Sequence, residues 1–229
     1  MLSALRARQP GHALWQIAWW YLLHFFCFVF CTVLYRYRAW GTHYIPRAGP
    51  VLFVANHESF LDPILVGMGG HCRQFHSMAR KTLWKHRVLG WLLNTLNTIP
   101  IDQNASDMTA IRRCIEAMKR GHALLVFPEG SRTIDGKLTP FAPGVLLLIK
   151  RARPAIVPVA VRGTFEVWPR AKRLPRCFGR IGVIYGKAIS TEQLLADGSE
   201  QALKCLHSEV EMMRDQLGQR LGCAVNLDR

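Results

Sequence analysis

Acidic side chains are scarce in the first part of this sequence. Among residues 1–99 only Glu58 and Asp62 carry a carboxylate, against ten Lys and Arg. The whole chain of 229 residues has 15 Asp+Glu against 30 Lys+Arg, a net charge of +15, and only residues 191–229 are net acidic. So basic a body needs an anionic partner: a nucleic acid, a phosphorylated small molecule or a membrane surface. The sequence also lacks any C-x-x-C, and its seven cysteines are odd in number and scattered. That excludes a disulfide scaffold and points to reduced thiols. His71-Cys72 with His76 is the nearest approach to a ligand cluster, and ordinary core or surface residues account for it better than a metal. Internal repeats, low-complexity tracts and linkers are missing too. With half the residues hydrophobic and 20% charged, a disordered or collagen-like chain is excluded.

One long apolar run is present. From Leu14 to Tyr35, nineteen of 22 residues are hydrophobic and none is charged. As a helix the run reaches about 33 Å at 1.5 Å per residue, enough to cross the hydrocarbon layer. It is too long and too aromatic for a secretory signal peptide. Trp15, Trp19 and Trp20 cluster at one end, where rings sit at headgroup depth. Arg6 and Arg8 precede the run and Arg36 and Arg38 follow it, so charge does not choose an orientation. A helix lying in one leaflet fits as well as a span. The alternative, a buried helix of a soluble core, normally shows a polar face. The expected organisation is a membrane-attachment helix over residues 1–40 and a single catalytic-sized domain over 41–229.

In that domain strand-like runs (Val51–Ala55, Phe75–Ala79, Ala123–Phe127, Ile156–Val161, Arg180–Tyr185) alternate with helical patterns. Ser106 to Arg120 places Ala110, Ile111, Cys114, Ile115 and Met118 on one face. The helix from about Ser199 to Leu221 repeats apolar residues at 3 and 4 positions. Such alternation argues an α/β fold with a mainly parallel central sheet flanked by helices. The stretch Leu83–Leu96 predicts a basic, Trp-bearing amphipathic helix, equally suited to a membrane surface and to a core-facing position.

Two segments at strand ends carry the chemistry. In Asn56-His57-Glu58-Ser59-Phe60-Leu61-Asp62-Pro63, a tight turn brings Asp62 back to one ring nitrogen of His57. The other nitrogen is then an acceptor, as a general base requires. Ser59 lies too close to His57 for a nucleophile and is better suited to holding the turn. In Phe127-Pro128-Glu129-Gly130-Ser131-Arg132, Gly130 permits close backbone approach and Arg132 offers a planar fork for phosphate, while Glu129 can pair with Arg132 or accept from a polyol. A third segment, Val157-Pro158 through Arg162-Gly163, reads alone as a buried strand ending in a glycine turn.

In this order the segments resemble the glycerolphospholipid acyltransferase family, over roughly residues 40–190. Its four blocks are matched by Asn56–Asp62, by Arg80-Lys81 through Ile101-Asp102, by Phe127–Arg132 and by Val157–Gly163. The resemblance implies transfer of a fatty acyl group from an acyl-CoA or acyl carrier protein thioester to the free hydroxyl of a lysophospholipid, 1-acyl-glycerol-3-phosphate above all. No metal and no further cofactor is implied. His57 would be the base and Asp62 its orienting carboxylate. Lys81, Glu129, Gly130, Ser131 and Arg132 would surround the acceptor phosphate, with Asn56, Ser59 and Pro158 in support or along the acyl path. Two positions depart from the pattern. Gln103 stands where many members have arginine, and Ala142-Pro143 where many have a basic residue, so another lysolipid, such as a lyso-amino-acid lipid, is the alternative acceptor. The implied location is the cytoplasmic (inner) membrane, with the catalytic domain facing the cytoplasm.

Two readings compete from other classes. Twenty-two arginines invite nucleic-acid binding, but they follow no recognised binding motif and leave the apolar helix without a role. A hydrolase with Ser59 as nucleophile would lack the G-x-S-x-G elbow. Neither nucleic acid nor hydrolysis is therefore expected.

Overall fold

A computed structural model of the protein describes residues 13–70, 73–102 and 107–222. Arg6, Arg8, His71-Cys72, Gln103 and Ser106 lie outside the described residues. Strands β1 (Arg38–Trp40), β2 (Val51–Ala55), β3 (Phe75–Arg80), β4 (Thr98–Ile101), β5 (Ala123–Val126), β6 (Ala155–Arg162) and β7 (Gly182–Tyr185) form one sheet in the order β1-β7-β6-β2-β5-β3-β4. Neighbours pair in parallel except β6 with β7. This is the expected α/β architecture.

β2 is the central strand because every one of its residues can be buried: Val51 to Ala55 are all inaccessible, the pattern of a parallel strand covered on both faces. Its alternate side chains define two cores. Val51, Phe53 and Ala55 face Leu65 and Val66 of helix α2 (Asp62–Gly69) and Trp20, Cys31 and Tyr35 of helix α1 (Leu14–Tyr35). Leu52 and Val54 face α4 (Met108–Lys119), α5 (Gly144–Ala152) and α8 (Ser199–Leu221), through Cys114, Ile149 and Leu206 among others. Helices α3 (Arg87–Thr95), α6 (Thr164–Val167) and α7 (Thr191–Leu195) are the remaining α-helices among the described residues.

The boundary expected at residue 40 is not a division in the fold. Tyr35 and Tyr37 belong to the core under β2, and β1 pairs with β7 at the sheet edge. α1 lies along the domain instead of standing apart from it. Ile17, Trp20, Cys31 and Tyr35 form its buried stripe, while Trp15, Phe25, Phe26, Phe30 and Val33 remain exposed. It is long and apolar enough to cross a membrane. The predicted helix over 83–96 is a 3-10 turn (Lys81–Lys85) followed by α3, divided at the extended His86. α3 shows Val88 and Trp91 to solvent, 81% and 57% exposed. Trp91 packs edge-on against Trp19 of α1 at 5.7 Å, and Trp19 Nε1 donates to Thr95 Oγ1.

Candidate active site

The parallel order of β3, β5, β2 and β6 sends their following segments to one edge of the sheet, the carboxyl edge where open α/β sheets hold ligands. His57 follows β2, Arg132 follows β5, Thr164 follows β6 and Lys81 follows β3.

The turn after β2 closes on Asp62. Its Oδ2 accepts from the Glu58 N–H at 2.6 Å and the Ser59 N–H at 2.7 Å, and lies 2.8 Å from His57 Nδ1. Its Oδ1 accepts from the Thr164 hydroxyl at 2.7 Å. The Asp62 carboxylate is wholly buried and His57 keeps 19% of its side-chain surface. With three other donors already on Asp62, the tautomer that fits carries its proton on Nδ1 toward the carboxylate and leaves Nε2 as an acceptor. The imidazole also stacks on Phe127 at 4.0 Å and 16°, which fixes its plane. The pair can take a proton from a hydroxyl and stabilise the imidazolium that results.

Other expected site residues divide into those at the site and those that build it. Asn56 is buried, with its amide accepting from the Val161 N–H at 2.7 Å and donating to the Val161 carbonyl at 2.9 Å, which joins the ends of β2 and β6. The Ser59 hydroxyl donates to the Trp168 carbonyl and accepts from the Leu61 N–H, a turn-holding use. Glu129 is engaged by the chain itself. Its Oε1 takes the His57 backbone N–H at 2.6 Å, and its Oε2 takes the N–H and hydroxyl of Thr139, both at 2.9 Å. It braces one loop against another. The Thr133 N–H to the His57 carbonyl adds a second tie. Pro158 lies inside the sheet, paired with Val54, and its carbonyl accepts from the Gly186 N–H. It is part of the frame, not of the carboxyl edge.

Gly130, with a φ of 73°, makes the turn through Ser131 that delivers Arg132. The Arg132 guanidinium sits 3.6 Å above the Phe60 ring. Partial burial and then the repulsion of Arg170 and Arg80 lower its pKa, while Asp62 opposes them. Arg80 and Arg170 are thus near enough to act on Arg132, and a phosphate would relieve that repulsion. Lys81 opens the exposed 3-10 turn beside Arg80. Arg80 opened the second matched block in sequence without a role of its own, and Arg170 was not among the residues expected; no spacing rule joins the three.

Glu58 is the other surprise. Fully buried, it receives Arg214 Nε of α8 at 3.1 Å, lies 3.7 Å from Arg162 and accepts from the Phe165 N–H. Thr164 lies between it and Asp62, 3.3 Å from Glu58 Oε2. Burial pushes its carboxyl up to about 7 against the pull of Arg214, with Asp62 and Glu166 adding to the rise. The sequence hint was its rarity, as one of two acids among residues 1–99. Gly163 carries the chain from β6 into this corner with a φ of 88°, where a Cβ would stand 2.0 Å from the Arg180 carbonyl.

A family model described as Acyltransferase matches residues 36–162. The chain is 28% identical over 159 residues to a chloroplastic 1-acyl-sn-glycerol-3-phosphate acyltransferase of Arabidopsis thaliana, covering 68% of this chain and 44% of that one. It is 25% identical over 189 residues to the 1-acyl-sn-glycerol-3-phosphate acyltransferase of Bacillus subtilis, covering 79% and 90%. It spans about half the length of the Arabidopsis thaliana and Brassica napus relatives. The crystal structure of the 1-acyl-sn-glycerophosphate acyltransferase from Thermotoga maritima superposes with a TM-score of 0.73 at 24% identity, over 86% of this chain and 79% of that one.

Proposed function

This chain belongs to the Acyltransferase family, and on that premise we propose that it moves a fatty acyl group from an acyl-CoA or acyl carrier protein thioester to the free hydroxyl of 1-acyl-glycerol-3-phosphate, giving phosphatidate. The observation that carries the reading is the His57–Asp62 pair at the same sheet edge as Arg132, near enough for Asp62 to act on that guanidinium. A hydroxyl is a poor nucleophile near neutral pH. His57 Nε2 takes its proton as the oxygen attacks the thioester carbonyl, and Asp62 holds the imidazolium. Collapse of the tetrahedral adduct expels the thiolate, a good leaving group, which recovers the proton from His57. The acceptor phosphate rests on Arg132, with Arg80, Arg170 and Lys81 around it.

The bilayer is the third partner. The exposed aromatic face of α1, continued by Val88 and Trp91 of α3, supports attachment within one leaflet at the cytoplasmic membrane. In that placement the catalytic edge faces the cytoplasm, where the anionic thioesters are found. A panel of lysolipid acceptors, offered with one labelled acyl thioester, tests the proposal. Label should enter phosphatidate from the lysophosphatidate arm; preference for an acceptor without the phosphate would overturn it.

A further inference from the structure

Beyond the catalytic edge, segment 168–180 carries Arg170, Lys172, Arg173, Arg176 and Arg180 and no acid. It is sewn to the end of α1. Tyr35 Oη donates to the Arg176 carbonyl, the Gly179 N–H to Leu34 and the Ile181 N–H to Tyr35. At its other end Trp168 packs on Phe60, which lies under Arg132. Between this segment and α1 opens a groove of about 760 Å³. Arg36, Arg176 and Arg180 line it, with Val33 and Phe178 as apolar wall and Glu166 as the single acid among the described residues there. Glu166 faces Arg162 at 3.8 Å, so its charge is already opposed. Val33 and Phe178 are 71% and 74% exposed, and Val33 continues the bare aromatic face of α1.

We propose that this groove is a second lipid site, separate from the catalytic one, which takes an anionic glycerophospholipid of the bilayer with its phosphate on Arg36 and Arg176 and an acyl chain along Val33 and Phe178. Charge selects the occupant: a cationic rim needs an anionic headgroup. The apolar wall selects a lipid over a soluble anion, because exposed Phe178 and Val33 gain only from hydrocarbon. Arg180 is partly committed, donating to the Leu221 carbonyl. The site anchors segment 168–180, and with it Arg170, at membrane depth.

The inference rests on membrane attachment through α1 but not on the acyl-transfer reading, and a binding assay without acyl substrates keeps them apart. The full chain, purified in detergent, is measured for binding to phosphatidylcholine vesicles with and without phosphatidylglycerol. The double variant Arg36→Gln/Arg176→Gln should lose about 30-fold in binding to the anionic vesicles, at about five-fold per basic residue near an anionic surface. Binding to phosphatidylcholine alone should not change. Phe178→Ser should weaken binding to both vesicles while keeping the anionic preference. Unchanged binding of the double variant to phosphatidylcholine is its folding control. If the double variant keeps the wild-type preference for phosphatidylglycerol, the proposal is wrong. If instead it raises the KM for a soluble acyl thioester, with a short-chain monomeric acceptor, the groove holds the donor and the lipid assignment fails.

Discussion

Arg214 and Glu58 lie 156 positions apart in the chain, yet the guanidinium Nε meets the buried carboxylate at 3.1 Å. The contact ties the last helix to the catalytic turn, since Glu58 is next to His57 and shares Thr164 with Asp62. The same guanidinium donates to the Gly136 carbonyl, in the loop that Glu129 braces. Removing one partner of a buried pair costs up to about 3–5 kcal/mol, and here Arg162 stays 3.7 Å from Glu58 as a second partner. Arg214→Ala should therefore lower the melting temperature strongly, whereas Arg214→Lys should recover part of the loss. Differential scanning calorimetry checks both.

Glu58 also makes stability depend on pH. With its carboxyl pushed from 4.5 to about 7, the folded chain holds a proton that the unfolded chain releases within that window. Its contribution is then present below about pH 4.5 and lost as the pH rises through 7. Glu58→Gln cannot lose a proton. Its melting temperature should fall less than the wild type's between about pH 5 and pH 8, and parallel curves would contradict the assignment.

Recognition of the acceptor phosphate is read from KM. Arg132→Ala should raise the KM for lysophosphatidate more than that for the thioester. Arg132→Lys should also be poor, because an ammonium loses both the fork and the stacking on Phe60. Arg170→Ala and Arg80→Ala should act in the same direction more weakly, since both are exposed. Equal damage with a phosphate-free acceptor would sink the assignment.

Membrane attachment is read from extraction. Replacing Phe25, Phe26 and Phe30 with serine removes exposed rings worth about 1.5–3 kcal/mol each when buried in hydrocarbon. The wild type should resist a high-salt wash and need detergent, while the triple variant should be shed by salt. Deleting residues 1–38 is a poorer test, because it also takes Tyr35, Tyr37 and the start of β1 out of the core.

Much of this was legible in the sequence for definite physical reasons. β2 and α8 occupy the ranges their patterns give, Val51–Ala55 and Ser199–Leu221, since a doubly covered strand and a long amphipathic helix leave strong periodic traces. The His57–Asp62 pair was readable because a five-residue turn is local. Short edge strands were not: β1 has three residues, and β4 has four and carries Pro100, which in sequence reads as a strand breaker. α2 begins at Asp62-Pro63, where proline starts a helix as easily as it ends one. Juxtapositions that the fold creates, such as Arg214 on Glu58 or Arg170 near Arg132, leave no sequence period to read. Glu129 shows the same limit, since a carboxylate beside an arginine in sequence does not reveal that both its oxygens also accept from backbone.

The central claim is that His57, held by Asp62, is the base for acyl transfer. It is tested most directly by following labelled acyl from a thioester to lysophosphatidate with the wild type, His57→Ala and Asp62→Asn, all checked for folding. The wild type should form labelled phosphatidate, and His57→Ala should be slower by about 10²–10⁴-fold. Asp62→Asn should bind both substrates nearly normally while its turnover collapses. Near-full transfer by folded His57→Ala would contradict the account.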